Sequence, residues 1–257
     1  MSFDISQLLD GWEYQPGQVM VRRFVAADGL EKIQLRVDLG LLQMNVEGRP
    51  DGKRPNGCPS LWEFFAKRLA KHQQEHDGNV EDFTLSGEDC SRLQMEALQY
   101  HHRCICLLQL NDFSGVVRDT ERNLEVFNFV NEHAESDEMA WGLIQFRPQV
   151  VMIHTRALAA QVLATEDYPE AIRIMEEGIE DLRGFFRETD RPDLADNSAE
   201  ILSLEDWLSD LRAKRPLSQR ERLEQALADA LQNENYEKAA QVRDALRKLE
   251  SRDSAGK

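Results

Sequence analysis

Hydrophobic residues recur at every second position in the first part of this chain and at helical spacing from Ser60 onward. That change of period constrains the fold class to mainly α with a small N-terminal β element. Ile33, Leu35, Val37, Leu39 and Leu41 alternate with Lys32, Gln34, Arg36 and Asp38, the pattern of a strand with one buried face. Val19 and Val21, against Met20 and Phe24, populate the two faces of a preceding strand. The two strands join through Ala26-Ala27-Asp28-Gly29, an Asp-Gly corner suited to a tight hairpin. At Gly40 the alternation changes parity and resumes as Leu42, Met44 and Val46, which predicts a β-bulge or a sharp bend. Residues 1–57 are thus expected to form an N-terminal β-hairpin element ending in a basic loop. An isolated hairpin is marginal in water, so it should pack on helices or on another subunit.

Residues 58–215 carry helical spacing. Ser60-Leu61-Trp62-Glu63 reads as a capping box, with Leu61, Phe64, Phe65 and Leu69 following, and this helix should end near His76-Asp77-Gly78. Longer helices are expected over roughly 88–110, 113–133, 148–165 and 168–187, with a short segment at 138–145 and a break at Pro148. Ser203-Leu204-Glu205-Asp206 reads as the cap of a further helix through Arg212, and Lys214-Arg215-Pro216 as a linker. Two stretches resemble each other. Tyr100, Cys104 and Leu107 precede Asn111-Asp112-Phe113 and then Val116; Thr155, Leu158, Ala159 and Val162 precede Glu166-Asp167-Tyr168, then Ala171 and Gly178. A polar turn, an aromatic and a small or apolar residue three positions on are also the core of the tetratricopeptide repeat, which both stretches resemble. The pattern departs from that family where Val116 replaces an alanine and where the two units lie 55 residues apart. The resemblance implies a tetratricopeptide-like antiparallel helical array with a partner-binding surface.

Residues 216–251 read as a separate helical hairpin, followed by a disordered tail over 252–257. Ser218-Gln219-Arg220-Glu221 is a second capping box. Leu223, Leu227 and Leu231 form a narrow apolar seam on the first helix, with Ala226 and Ala230 beside it. After Asn233-Glu234-Asn235, the second helix presents Ala239, Val242, Leu246 and Leu249 at coiled-coil-like spacing. Ala239-Ala240 permits a close helix crossing, Tyr236 can close the open end of the seam, and Arg243 with Asp244 sits beside it. The leucines, together with the run Tyr236-Glu237-Lys238-Ala239-Ala240-x-x-Arg243-Asp244, resemble the UVR motif of the bacterial excision-repair proteins UvrB and UvrC. That resemblance implies a protein-protein contact, with the hairpin pairing with another copy or with a partner's matching hairpin. Leu223, Leu227, Leu231, Tyr236, Ala239, Ala240, Arg243, Asp244 and Leu246 are the expected partner-binding residues, and a homodimer is one form the contact can take.

The charge narrows what the contact serves. Residues 217–257 hold eight basic and eight acidic side chains, so the other 23 basic and 39 acidic residues carry the whole net charge of −16. A field of that sign works against direct nucleic-acid binding, which depends on Lys and Arg neutralising phosphates. No apolar run is long enough for a bilayer, and the start MSFDISQLLDGWEY lacks a signal peptide's basic and apolar regions. With four scattered cysteines, a cytoplasmic protein is expected. His101-His102-x-Cys104-x-Cys106 does not converge on one helix face, so no metal is expected and Cys104 reads as a core residue. No cofactor or catalytic constellation is expected either. Arg49, Lys53 and Arg54 in the loop 48–57 form a local basic spot that could hold an anionic ligand, although the spacing is not that of a phosphate loop; a solvated connector is the plainer reading. The expected function is a non-enzymatic, bacterial scaffold or adaptor. The alternative is an accessory or regulatory factor of nucleotide excision repair or of a bacterial protein kinase system.

Overall fold

Alternation in the N-terminal region produces three strands rather than two. In a computed structural model that describes residues 4–217 and 219–255, β1 (Val21–Val25), β2 (Glu31–Val37) and β3 (Gly40–Asn45) form an antiparallel sheet in that order. The expected single hairpin is therefore a three-stranded sheet, and of the two readings of the parity change at Gly40, a bulge or a sharp bend, it is the bend, the turn of a second hairpin. Val37 pairs with Gly40 across the two-residue loop Asp38-Leu39. Closing a hairpin on two residues pairs an odd position with an even one, so the buried parity must invert there. Leu39, which strict alternation places on the buried face, lies at the tip and is 90% exposed. In the first turn Gly29 alone takes a positive φ, and the Asp28 carboxylate accepts from the Leu30 amide at 3.1 Å.

The chain divides into two compact units, one through Ser209 and one from Asp210 onward. In the first, one sheet face packs on helices: Ile33, Met44 and Val46 are buried with Cys106, Leu107, Val116, Ile153 and Ala157. The opposite face carries a polar ladder. Arg22 Nε donates to Gln34 Oε1 (2.7 Å), and Gln34 Nε2 donates to Gln43 Oε1 (2.8 Å), so the buried Gln34 is satisfied on both sides. The segment holding α1 (Ser6–Leu9) meets this face, with Trp12 4.2 Å beneath the Arg22 guanidinium.

After a 3-10 turn at Pro55–Gly57 come α2 (Leu61–Glu75), α3 (Gly87–Gln109), α4 (Phe113–His133), α5 (Asp137–Ile144), α6 (Arg147–Leu163), α7 (Tyr168–Glu188), α8 (Pro192–Ala195) and α9 (Ala199–Lys214). A second apolar cluster joins Phe65 of α2, Leu93 and Ala97 of α3, Val126, Phe127 and Val130 of α4, and Leu143 of α5. Two caps differ from expectation. Ser60 accepts from the Glu63 amide at 3.3 Å, but Glu63 does not reach back, and its Oε2 is buried without a hydrogen bond. The carboxylate of Glu96 takes the free amides of Leu61 and Trp62 instead. Helix α9 begins before Ser203: Ser198 accepts from the Ile201 amide (3.4 Å), because the buried stripe of Ile201, Leu204 and Leu208 already starts there.

In the second unit α10 (Gln219–Gln232) is followed by α11 (Tyr236–Ala255). The expected Ser218 cap and residues 256–257 of the tail lie outside the described residues, and α11 carries the backbone through to Ala255.

One turn is used three times. Asn111, Glu166 and Glu234 each adopt a left-handed φ of 57°, 61° and 54°. Each is followed by an Asp or Asn whose side chain accepts from the amide three residues on: Asp112 from Gly115, Asp167 from Glu170, Asn235 from Lys238, all at 3.1 Å. The same residue's own amide donates back to the carbonyl five positions earlier, at Leu107, Val162 and Ala230. An aromatic residue then opens the new helix each time. Between α6 and α7 the helices approach so closely that a Cβ on Gly178 would lie 2.2 Å from Thr155 Oγ1. Gly178→Ala is expected to lower stability by about 1–3 kcal/mol in urea unfolding, despite alanine's better helix propensity. In a Thr155→Ala background, which removes the two nearest atoms, the cost should shrink.

Candidate functional site

Beneath the basic loop after β3 lies a set of buried ions, and Arg49 of the loop turns toward it. Arg103, on α3 between Tyr100 and Leu107, is 1% exposed, and so is Asp119 of α4. Arg103 Nε donates to Asp119 Oδ2 (2.6 Å) and Nη2 to Oδ1 (2.7 Å), a bidentate pair. The remaining Nη1 donates to the carbonyls of Asn45 (2.9 Å) and Gly48 (2.7 Å), so this pair also holds the end of β3 and the loop beyond it. Arg118 extends the grip, donating to Asp119, Glu47 and the Val46 carbonyl.

Arg49, expected to hold an external anion with Lys53 and Arg54, is turned inward. Its Nε lies 3.1 Å from Glu96 Oε2 and 3.2 Å from Asp51 Oδ1, off the hydrogen-bonding direction. Lys53 and Arg54 are exposed, and the Arg54 guanidinium bonds weakly to the Gly57 carbonyl (3.4 Å). The three cations therefore do not converge. Glu96 itself is fully buried, pairs with Arg122, and accepts from the α2 amides. Tyr100 lies between the two pairs, 4.0 Å below Arg122 and 5.0 Å from Arg103, and burial pushes its phenol above the usual tyrosine range. Desolvation draws Arg122 down despite Glu96. Four guanidinium groups (Arg49, Arg103, Arg118, Arg122) thus face four carboxylates (Glu47, Asp51, Glu96, Asp119).

The residues around 101–106 separate onto different surroundings. Cys104 Sγ rests against the Val116 carbonyl at 4.0 Å and Cys106 joins the sheet-side core, with burial raising its thiol to about 12. His101 faces a cleft between α3, α5 and α6, and burial lowers its imidazole below the ordinary 6.5. Among the described residues no group of three or more His, Cys, Asp or Glu is placed to hold a metal ion.

The second unit offers a different kind of surface. Among the described side chains of the α10–α11 hairpin, only Ala230 and Ala239 are buried, at 3% and 6% exposure. Leu223, Leu227 and Leu246 are half-buried, as are Val242 and Leu249, while Leu231 is 51% and Tyr236 67% exposed. Tyr236 therefore does not close the hairpin's open end. Ala240 is exposed, and Arg243 and Asp244 lie side by side in solvent, 4.0 Å apart. No helix among the described residues is long and apolar enough to cross a membrane. The chain matches no family model, no curated protein and no solved structure.

The buried ions give a direct test. Removing one partner should leave an uncompensated buried charge, so Arg103→Met or Asp119→Leu should each cost about 3–5 kcal/mol in denaturant unfolding. The double variant should recover much of that loss, with a coupling energy that a merely additive pair would lack.

Proposed function

We propose that this protein is a non-enzymatic adaptor that makes contact through its C-terminal α10–α11 hairpin, with the helical layers of the first unit as a second interaction surface. The observation carrying this reading is the unfinished seam of the hairpin. Two helices of 14 and 20 residues bury two alanines and leave Leu223, Leu227, Val242, Leu246 and Leu249 partly in water, with Leu231 and Tyr236 beyond them. Apolar area of this kind is worth about 25 cal/mol per Å² when covered, which favours a second helical element lying along the seam. Its resemblance to a UVR motif supports a matching hairpin as that element, from another copy or from another protein. The repeated turn and the close α6–α7 approach support a tetratricopeptide-like reading of the first unit. Arg243 and Asp244, exposed beside the seam, would fix the register of the pairing.

The test is Leu227→Glu combined with Leu246→Glu in the full-length chain. The parent should sediment above its 29.6 kDa monomer mass, or retain a partner in affinity capture that the variant loses, while both show the same cooperative unfolding of the first unit. If mass and captured proteins are the same for parent and variant, the hairpin is not the contact.

A further inference from the structure

The cleft between α3, α5 and α6 is lined by uncharged and mostly apolar side chains. Its volume is about 350 Å³. Its walls come from Met95 and Leu98 on α3, Phe127 on α4, Leu143 on α5, Phe146 at the α5–α6 bend, and Val150 on α6. The chain has a net charge of −16 and 30% charged residues, yet no Lys, Arg, Asp or Glu lines this space. An ion entering it would lose its hydration with no counter-charge to meet, a cost of several kcal/mol. An uncharged guest meets no such cost.

Size and polarity define the guest further. An apolar cavity of about 150 Å³ holds one benzene, so this cleft, at about 350 Å³, suits a body of about two rings or a branched chain of that bulk. Of the polar groups at its wall, Asn123 is already committed: Nδ2 donates to the Ala97 carbonyl and Oδ1 accepts from Arg122, both at 3.0 Å. Gln94 is anchored by its amide nitrogen on the Gly142 carbonyl (3.0 Å), which leaves its carbonyl oxygen as an acceptor. His101 and Gln149 complete the polar set. Burial keeps the His101 ring neutral at pH 7, so it presents one donor and one acceptor. At the mouth Met95, Leu98 and Phe146 are 62%, 43% and 46% exposed, an apolar rim that a seated guest would shield and that flexible methionine can fit to it.

We propose that this cleft binds a neutral, apolar small molecule of about two-ring size, its body against Leu98, Phe127, Leu143 and Val150 and one hydrogen-bonding group at His101 and Gln149. The arrangement is that of ligand sites between helices: an apolar pocket with a few fixed polar groups. All the residues that line it belong to the first unit.

N-phenyl-1-naphthylamine, uncharged and carrying one N–H, is a suitable probe. Titrated into the full-length protein, it should give a saturable fluorescence rise at one probe per chain. Leu98→Glu places a carboxylate at the partly exposed lip and should weaken binding about tenfold or more. Phe146→Ser, also at the lip, should weaken it in the same direction and serves should Leu98→Glu disturb folding. Leu39→Glu, at the tip of the β2–β3 hairpin, should leave binding unchanged. Three outcomes would overturn the proposal: no saturable rise; several probes per chain with equal affinity in all variants; or probe release as protein concentration rises, which would mean that a second copy covers the cleft.

Discussion

A guanidinium and a carboxylate, Arg103 and Asp119, sit 1% exposed at the point where the sheet, α3 and α4 meet. Taking both ions out of water costs several kcal/mol each, and the cost is offset only if every donor finds an acceptor. Here each guanidinium nitrogen finds one: two bonds go to Asp119 and the third nitrogen serves the Asn45 and Gly48 carbonyls. The loop after β3 has no regular partners of its own at those carbonyls, so the arginine takes the place a strand or helix would otherwise fill. Glu96 does the same for the start of α2, where a fully buried carboxylate accepts the amides that the incomplete capping box leaves over. The β element and α2 are therefore joined to the α3–α4 pair by oriented hydrogen bonds as well as by apolar packing. Apolar contact tolerates sliding; these bonds do not.

That arrangement accounts for the behaviour of the basic loop. A surface cluster of Arg49, Lys53 and Arg54 would present its cations to solvent, where an anion could displace water. Burying Glu96 requires counter-charge from nearby, and Arg49 and Arg122 supply it. Arg49 is drawn inward because the negative charge beneath it is harder to solvate than the one it could meet outside. Arg49 thereby serves the fold, and Lys53 and Arg54 remain at the surface.

Much of the helical architecture was legible in the sequence because its signals are local. Asn111-Asp112-Phe113 and Glu166-Asp167-Tyr168 announce the turns through residues whose chemistry acts within four positions: a left-handed residue, an Asx cap and an aromatic. The three-stranded sheet was half legible. Parity inversion at Gly40 marked an event, but a bulge and a two-residue hairpin invert parity alike, and only the pairing of Val37 with Gly40 separates them. The buried ions were not legible as a site, because Glu96, Arg103, Asp119 and Arg122 come from two helices and meet only after those helices pack. One signal was available: Glu96 and Arg103 fall at core-facing positions of α3, three residues after Leu93 and three after Tyr100. A charge on a buried stripe requires a partner on the facing helix.

The two helical pairings differ in how they complete their cores, and that difference bears on what each can do. Helices α3 and α4 enclose Leu93, Ala97, Val126, Phe127 and Val130 together with residues of α2 and α5, so the apolar stripe between them finds cover within the unit. Helices α10 and α11 use the same turn, with Glu234 left-handed and Asn235 capping Lys238, but no third layer lies within the hairpin's own sequence. A two-helix unit presents more surface than core, and small residues at the crossing deepen that imbalance by bringing the backbones close while burying little side-chain area. Bulkier residues at positions 230 and 239 would enlarge the internal core but push the helices apart and leave a less regular outer seam. With alanine at both, the neighbouring leucines stay half-buried or exposed. A hairpin built this way is a poor core, and it leaves Leu223, Leu227, Val242, Leu246 and Leu249 only half-buried.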